Sequence, residues 1–305
     1  MRQHTTLDNI LFPTDFSDLA ENALNTAIAM CKRHNAMLHL LHVVENQFLV
    51  APSDVSISAV YVIPELEQSA EENMTALRDR IKMNHTITKL ETYIEYGTAA
   101  NAIRKKALEF NCDLIVMGTH GASGFREFFI GSNAYSLIKI TTVPVLTVPG
   151  NKPVPDFKKI LFPLRLSKGI REKYDFIAPI IEKNNAELII AGLSNPGETF
   201  DKSFVEDEIK EVARALANNN TTYLVKYYEC KNIARKVLEL SEEADADLVV
   251  INASLDHNWS QFFIGPYAQQ IVHHANVPVL SIRLTDHSSV IEDKGKDDDH
   301  QFLGS

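Results

Sequence analysis

The chain has 305 residues, of which 45% are hydrophobic and 23% charged, with a formal net charge of −10. This is enough chain for two compact domains of the ordinary globular kind. It excludes a general nucleic-acid surface, which needs Lys and Arg stripes, and a membrane span, which needs about eighteen consecutive apolar residues.

Taken in order, Asn9 to Thr14 is expected as a first strand, with Asp15-Phe16-Ser17 as the turn leaving it. Asp18 and Glu21 have the spacing of a capping box, and Ala20, Ala23, Leu24, Ala27, Ile28 and Cys31 form an apolar stripe at helical spacing. Met37 to Val44 is a second strand, followed by a stretch from Glu45 to Pro64 without helical period. Next come a helix from about Glu65 to Met83, a strand from Lys89 to Tyr96 and a helix from Ala99 to Phe110. The apolar run Leu114 to Met117 is a fourth strand, buried on both faces as parallel strands are. A helix over Asn133 to Ile138 and a fifth strand, Val143 to Val148, complete the first half. Strands alternating with helices make βαβ crossovers, hence an α/β fold with a parallel sheet covered on both faces.

The proline- and glycine-containing run Pro149 to Pro155 is a linker by composition, and beyond it the pattern restarts. Lys159-Ile160-Leu161-Phe162-Pro163 echoes Asn9 to Pro13, and Asp247 to Val250 echoes Asp113 to Val116. Phe262-Phe263-Ile264-Gly265 repeats Phe128 to Gly131, and Val277-Pro278-Val279-Leu280 repeats Val143 to Leu146. The chain is therefore divided into residues 1–150, a second copy over 151–285, and an acidic tail, 286–305, expected to be disordered.

Between the fourth strand and its helix lies the most informative stretch, Gly118-Thr119-His120-Gly121, then nine residues to Gly131-Ser132. A glycine-rich loop that leaves a strand and returns at a helix N-terminus offers unpaired amides and the positive end of the helix dipole to an anion. Gly118 and Gly121 let the backbone approach a ligand closely, and Ser132 adds a hydroxyl as helix cap or ligand. His120 and Arg126 are expected to face solvent. Asp15, the residues after Val43 and the glycine loop all follow strand ends, where open α/β sheets bind ligands. Asp15 reads equally as a turn residue capping backbone amides.

Other chemistry is poorly supported. The three cysteines, Cys31, Cys112 and Cys230, are far apart and odd in number, as suits reduced packing thiols. Cys-x-x-Cys and His-Glu-x-x-His are missing, so no protein-built metal site is expected. His39 and His42 fall on opposite faces of a strand, and His273 and His274 are adjacent, so these read as surface or satisfied histidines. There is no P-loop, no lysine in the glycine loop and no carboxylate placed to orient water, so binding is better supported than fast phosphoryl transfer. The chain starts without the apolar core of a secretory leader, and a cytoplasmic location is expected.

The residues Phe12-Pro13-Thr14-Asp15-Phe16-Ser17, Leu41-His42-Val43-Val44, Met117-Gly118-Thr119-His120-Gly121, Gly131-Ser132 and the closing Val-Pro-Val-Leu resemble the universal stress protein family. From Asn9 to Arg283 the chain looks like a tandem member. The resemblance implies two Rossmann-like domains of the adenine nucleotide alpha hydrolase type, each a five-stranded parallel sheet flanked by helices. It implies pairing of the copies through their last strands, with a homodimer of the whole chain open. It also implies ATP binding, with AMP or ADP as alternatives and Mg²⁺ held mainly by the phosphates. Carried over residue by residue, Pro13, Thr14, Asp15, Val43 and Met117 would lie at the adenosine end. Gly118, Gly121, Gly131, Ser132 and Asn133 would surround the phosphates. In the second copy Arg165 stands for Asp15, Asn252 for Gly118, Leu255 for Gly121 and Pro266 for Ser132, so one nucleotide per chain is expected. The expected role is stress response or signalling through an unidentified protein partner. A nucleotide-independent partner-binding protein and a slow ATPase remain alternatives.

Overall fold

The computed structural model describes residues 6–45, 64–119, 131–150, 156–165, 170–197, 199–218, 221–253 and 266–283. The first half runs β1 (Asn9–Thr14), α1 (Glu21–His34), β2 (Met37–Val44), α2 (Pro64–Asn84), β3 (Leu90–Tyr96), α3 (Ala99–Glu109), β4 (Leu114–Gly118), α4 (Ser132–Ile140) and β5 (Val145–Val148). The second half repeats it as β6 (Lys159–Leu164), α5 (Ile170–Asn184), β7 (Glu187–Ser194), α6 (Thr199–Asn218), β8 (Tyr223–Glu229), α7 (Ile233–Glu243), β9 (Leu248–Asn252), α8 (Pro266–His274) and β10 (Val279–Ile282).

The strands form one 10-stranded sheet in the order β3-β2-β1-β4-β5-β10-β9-β6-β7-β8. All pairings are parallel except β5–β10, which is antiparallel with Leu280 opposite Leu146. The expected pairing through the last strands is therefore present within the chain. Both strands are buried along their whole length, and Thr147 Oγ1 donates to the Val279 carbonyl at 3.2 Å. Alternate residues of the strands feed two core layers. Ile10, Phe12, Leu38, Leu40, Leu114 and Leu146 pack on one face with α1 and α2. Leu11, Leu41, Ile115, Met117 and Val145 pack on the other with α3 and α4. Each layer continues into the second half, through Leu280 and Ile160 on one face and Val279 and Leu161 on the other.

The echoed aspartates have a structural reason. Asp113 Oδ2 accepts from the amides of Asp8 and Asn9 at 2.8 and 3.0 Å. Asp247 Oδ2 accepts from Lys158 and Lys159 at 2.8 and 2.9 Å. Each carboxylate ties the entry of its half's first strand to the strand beside it. Helix ends repeat too: Asn35 and Asn185 follow α1 and α5 at φ of 55° and 48°, a left-handed conformation that asparagine tolerates.

Two capping expectations are corrected. Asp18–Ala20 is a 3-10 turn, and Ala20, at the N-cap of α1, makes no side-chain cap. Glu21 instead pairs with Arg80 of α2 through both oxygens, at 3.1 and 2.9 Å, because α2 lies alongside and brings a guanidinium into reach. The N-cap of α4 is Gly131, and Ser132 is the first helical residue. Of the histidines, His39 is buried against the Phe110 ring, with Nε2 3.0 Å from Asn9 Oδ1. It is satisfied, as the strand position suggested. The linker 151–155 and the acidic tail lie outside the described residues.

Candidate functional site

Strand order reverses between β1 and β4: β2 and β3 lie on one side, β5 on the other. Pairing between β1 and β4 is limited to Ile10 with Leu114 and Leu11 with Ile115, so their carboxyl ends diverge and a crevice opens there. The turn after β1 forms one wall. Phe16 has a φ of 61°, uncommon for an aromatic residue. Two hydrogen bonds hold it there: the Phe16 amide donates to Thr14 Oγ1 at 3.0 Å, and the Ser17 amide donates to Asp15 Oδ1 at 3.1 Å. Ser17 Oγ donates to the same oxygen at 2.6 Å. The turn role of Asp15 is thus real, and it leaves an exposed carboxylate at the mouth.

His42, on β2, closes over this turn. Its ring centroid is 4.4 Å from that of Phe16, and Nδ1 is 2.8 Å from the Thr14 carbonyl oxygen. A carbonyl only accepts, so Nδ1 carries the hydrogen and Nε2 of the neutral ring is an acceptor. On the far side, Thr119 leaves β4 with its amide on the Val148 carbonyl at 3.1 Å. The Gly131 amide donates to the Thr119 carbonyl, so the loop is pinned shut where it leaves β4 and where it enters α4. A Cβ at Gly131 would sit 3.2 Å from that carbonyl oxygen, a tight approach that a side chain there would press against. The first helical residues, Ser132 and Asn133, are exposed, and their amides head α4 without intrahelical partners.

These parts surround a cavity of about 520 Å³. Pro13, Thr14, Asp15, Val43, Met117, Gly118, Gly131, Ser132 and Asn133 all line it. Gly121, with His120 and Arg126, lies outside the described residues. The sequence reading missed the α2 wall of Leu66, Ser69, Ala70 and Asn73, and Ala99 and Ile103 of α3. The α2 set has the i, i+3, i+4, i+7 spacing of one helix face, but its residue types do not single that face out in the sequence. Among the described lining residues, the titratable side chains are Asp15, His42 and Glu45. Attraction for an anion therefore comes from the amides and dipole of α4.

The equivalent place in the second half carries different side chains. The Arg165 guanidinium lies 5.5 Å from the centroid of the Tyr267 ring, where the first half has Asp15 and Asn133. Gly192 replaces His42, and a Cβ there would meet Tyr227 Cδ1 at 2.7 Å, so the Tyr227 ring occupies the space of the lost side chain. Asn252, in place of Gly118, keeps a buried Oδ1 that has no hydrogen-bond partner among the described residues.

Fold and crevice together define a tandem, doubly wound α/β protein with a ligand-sized cavity at the switch point of one half. Comparison with known proteins narrows that class. The model of the universal stress protein family matches residues 6–149 and again 157–283, and the chain belongs to that family. A universal stress protein of Staphylococcus aureus strain USA300 is 30% identical over 170 residues, 55% of this chain and 98% of the relative. A universal stress protein from Archaeoglobus fulgidus shares the fold at a TM-score of 0.72 and 19% identity, over 93% of this chain and 99% of that one. A protein from Pseudomonas aeruginosa PAO1 does so at 0.62 and 18%, over 92% and 93%. Among the described residues no helix is long and apolar enough to cross a membrane, and no cluster of metal-ligating side chains occurs.

Proposed function

We propose that the first half binds one adenine nucleotide, ATP foremost, and that the chain acts in stress response or signalling through nucleotide-dependent contact with a protein partner in the cytoplasm. The observation that carries this reading is convergence. The ends of β1, β2 and β4 and the N-terminus of α4 meet in one cavity of about 520 Å³, within the range of nucleotide-sized sites. The Asp15 carboxylate and the His42 acceptor suit the hydroxyls and amine of an adenosine. The pinned neck between Thr119 and Gly131 presents the α4 amides to phosphates. Mg²⁺ would be held mainly by those phosphates, since the cavity's own carboxylates are Asp15 and Glu45. No described side chain is placed as a base for the attacking water, so the site favours retention of the nucleotide over turnover.

The second half lacks the Asp15, His42 and Asn133 side chains, with Arg165, Gly192 and Tyr267 in their places, so we assign the nucleotide to the first half alone. Calorimetric titration of the full chain with Mg-ATP, together with mass spectrometry of material released on denaturation, tests the reading. One adenine nucleotide per chain is expected. Two equivalent sites, or none with nothing released, would overturn it.

A further inference from the structure

On the α3 side of the first half, the Phe110 ring is packed between two others. Its centroid is 4.9 Å from that of His39 and 4.4 Å from that of Tyr93, and the Lys106 ammonium lies 5.2 Å from it. The second half keeps the backbone and removes the rings. Ala191 pairs with Lys226 as Leu41 pairs with Tyr93, so Lys226 stands for Tyr93 and Ile189 for His39. Ala244 follows α7 as Phe110 follows α3, with nearly the same dihedrals: φ −86°, ψ −8° against φ −87°, ψ 5°. The result is a groove of about 210 Å³ between α7 and strands β6, β7 and β8. Its floor is Leu161, Ile189, Ala191 and Leu240.

The charges around the groove have also changed. In the first half the phenol of Tyr93 donates to Glu91. The second half has Leu224 in place of that carboxylate and an exposed ammonium in place of the phenol. Two lysines at the groove are already engaged. Lys236 pairs with Glu243 at 3.7 Å, and the Lys159 ammonium donates to the Ala244 carbonyl at 3.2 Å. Lys226 is thus the cation offered to a guest.

We propose that this groove is a second binding site, specific to the second half, for a small planar aromatic molecule bearing a carboxylate. The ring takes the place that Phe110 fills in the first half, and the carboxylate meets Lys226. A single ring suits the space, since an apolar cavity of roughly 150 Å³ takes up benzene. The site is independent of the nucleotide cavity, which is built from the other half.

Phenylacetate is the probe, with benzyl alcohol as its uncharged counterpart, measured by NMR on the full chain. Expected are phenylacetate shifts at Leu224 to Tyr228 and Leu240 to Ala244, and weaker binding of benzyl alcohol. Ala244→Phe supplies the missing ring on a backbone that already suits it and should abolish binding while leaving the fold and the nucleotide titration unchanged. Lys226→Gln should weaken phenylacetate about tenfold, the size of a lost charge-assisted hydrogen bond. Absence of shifts, or equal binding to Ala244→Phe, overturns the site. Equal binding to Lys226→Gln overturns the carboxylate requirement.

Discussion

The two halves share strand order, register and the aspartate that anchors the first strand, yet differ where the strands end. Asp113 and Asp247 do the same work at the amino ends of their sheets. At the carboxyl ends Arg165 stands in place of Asp15, Gly192 in place of His42, and Tyr267 in place of Asn133. Scaffold and site thus occupy opposite ends of the same strands, and one end can change without disturbing the other. The residues that changed are a cation, a tyrosine and a glycine at strand and helix ends, while the anchoring aspartate is kept.

The largest expected effect concerns what the halves still need from each other. Leu280 is fully buried opposite Leu146, and Leu280→Asp would place a carboxylate in both cores' common seam. A loss of about 3–5 kcal/mol is expected in denaturant unfolding. Residues 1–150 alone should dimerise through Val145–Val148 or aggregate. A stable monomer in sedimentation would mean that the second half is dispensable for the first.

Second comes acid sensitivity, in which one buried histidine of the first half should stand out. His34 ends α1 buried, and burial first, then the charges of Lys183 and Arg33, lower its pKa to about 4. The unfolded chain takes up a proton near pH 6.5 that the folded chain refuses, so stability falls as pH drops from about 6.5 toward 4. The loss should be on the order of 2–3 kcal/mol. The second half has Asn184 here, bonded to the Phe157 amide and the Ile180 carbonyl. His34→Asn should flatten the acid limb of a melting-temperature profile; an unchanged limb would assign it to other groups.

Third, Gly131→Val forces a side chain against the Thr119 carbonyl and should weaken ATP about tenfold by calorimetry. Asp15→Ala should act in the same direction, whereas Arg165→Ala should leave affinity unchanged. Equal losses from Asp15→Ala and Arg165→Ala would erase the proposed asymmetry. The smallest effect is at the caps of α3 and α7. Asn232 Oδ1 accepts from the Arg235 amide at 3.0 Å, but Thr98 makes no side-chain cap. Asn232→Ala should cost about 1 kcal/mol in chemical denaturation and Thr98→Ala clearly less.

The strands were legible because burial on both faces leaves continuous apolar runs such as Leu114 to Met117, and the repeat because core and seam positions resist change. The capping box at Asp18 was not, because a cap depends on dihedrals that a competing 3-10 turn took over, and because Arg80, distant in sequence, claimed Glu21. Most cavity positions could be read from strand ends. The α2 wall could not, since Ser69 and Asn73 carry no hydrophobic signal and only the folded helix brings them to the crevice. Nor could the contact in the second half by which Arg165 finds Tyr267 across the fold. Sequence shows there which residue replaced which, not what the new side chain packs against.

The antiparallel β5–β10 junction has a further consequence. Two separate single-half chains meeting through such a seam would form a two-fold pair, and every substitution would appear on both sides at once. Joined in one polypeptide, the pair cannot be diluted apart, and its sides are free to evolve separately. A substitution that empties a groove beside β8 need not open one beside β3, and a residue that blocks one crevice leaves the other intact. The covalent connection thus releases the molecule from its own symmetry, so each end of a single sheet can answer to a different ligand.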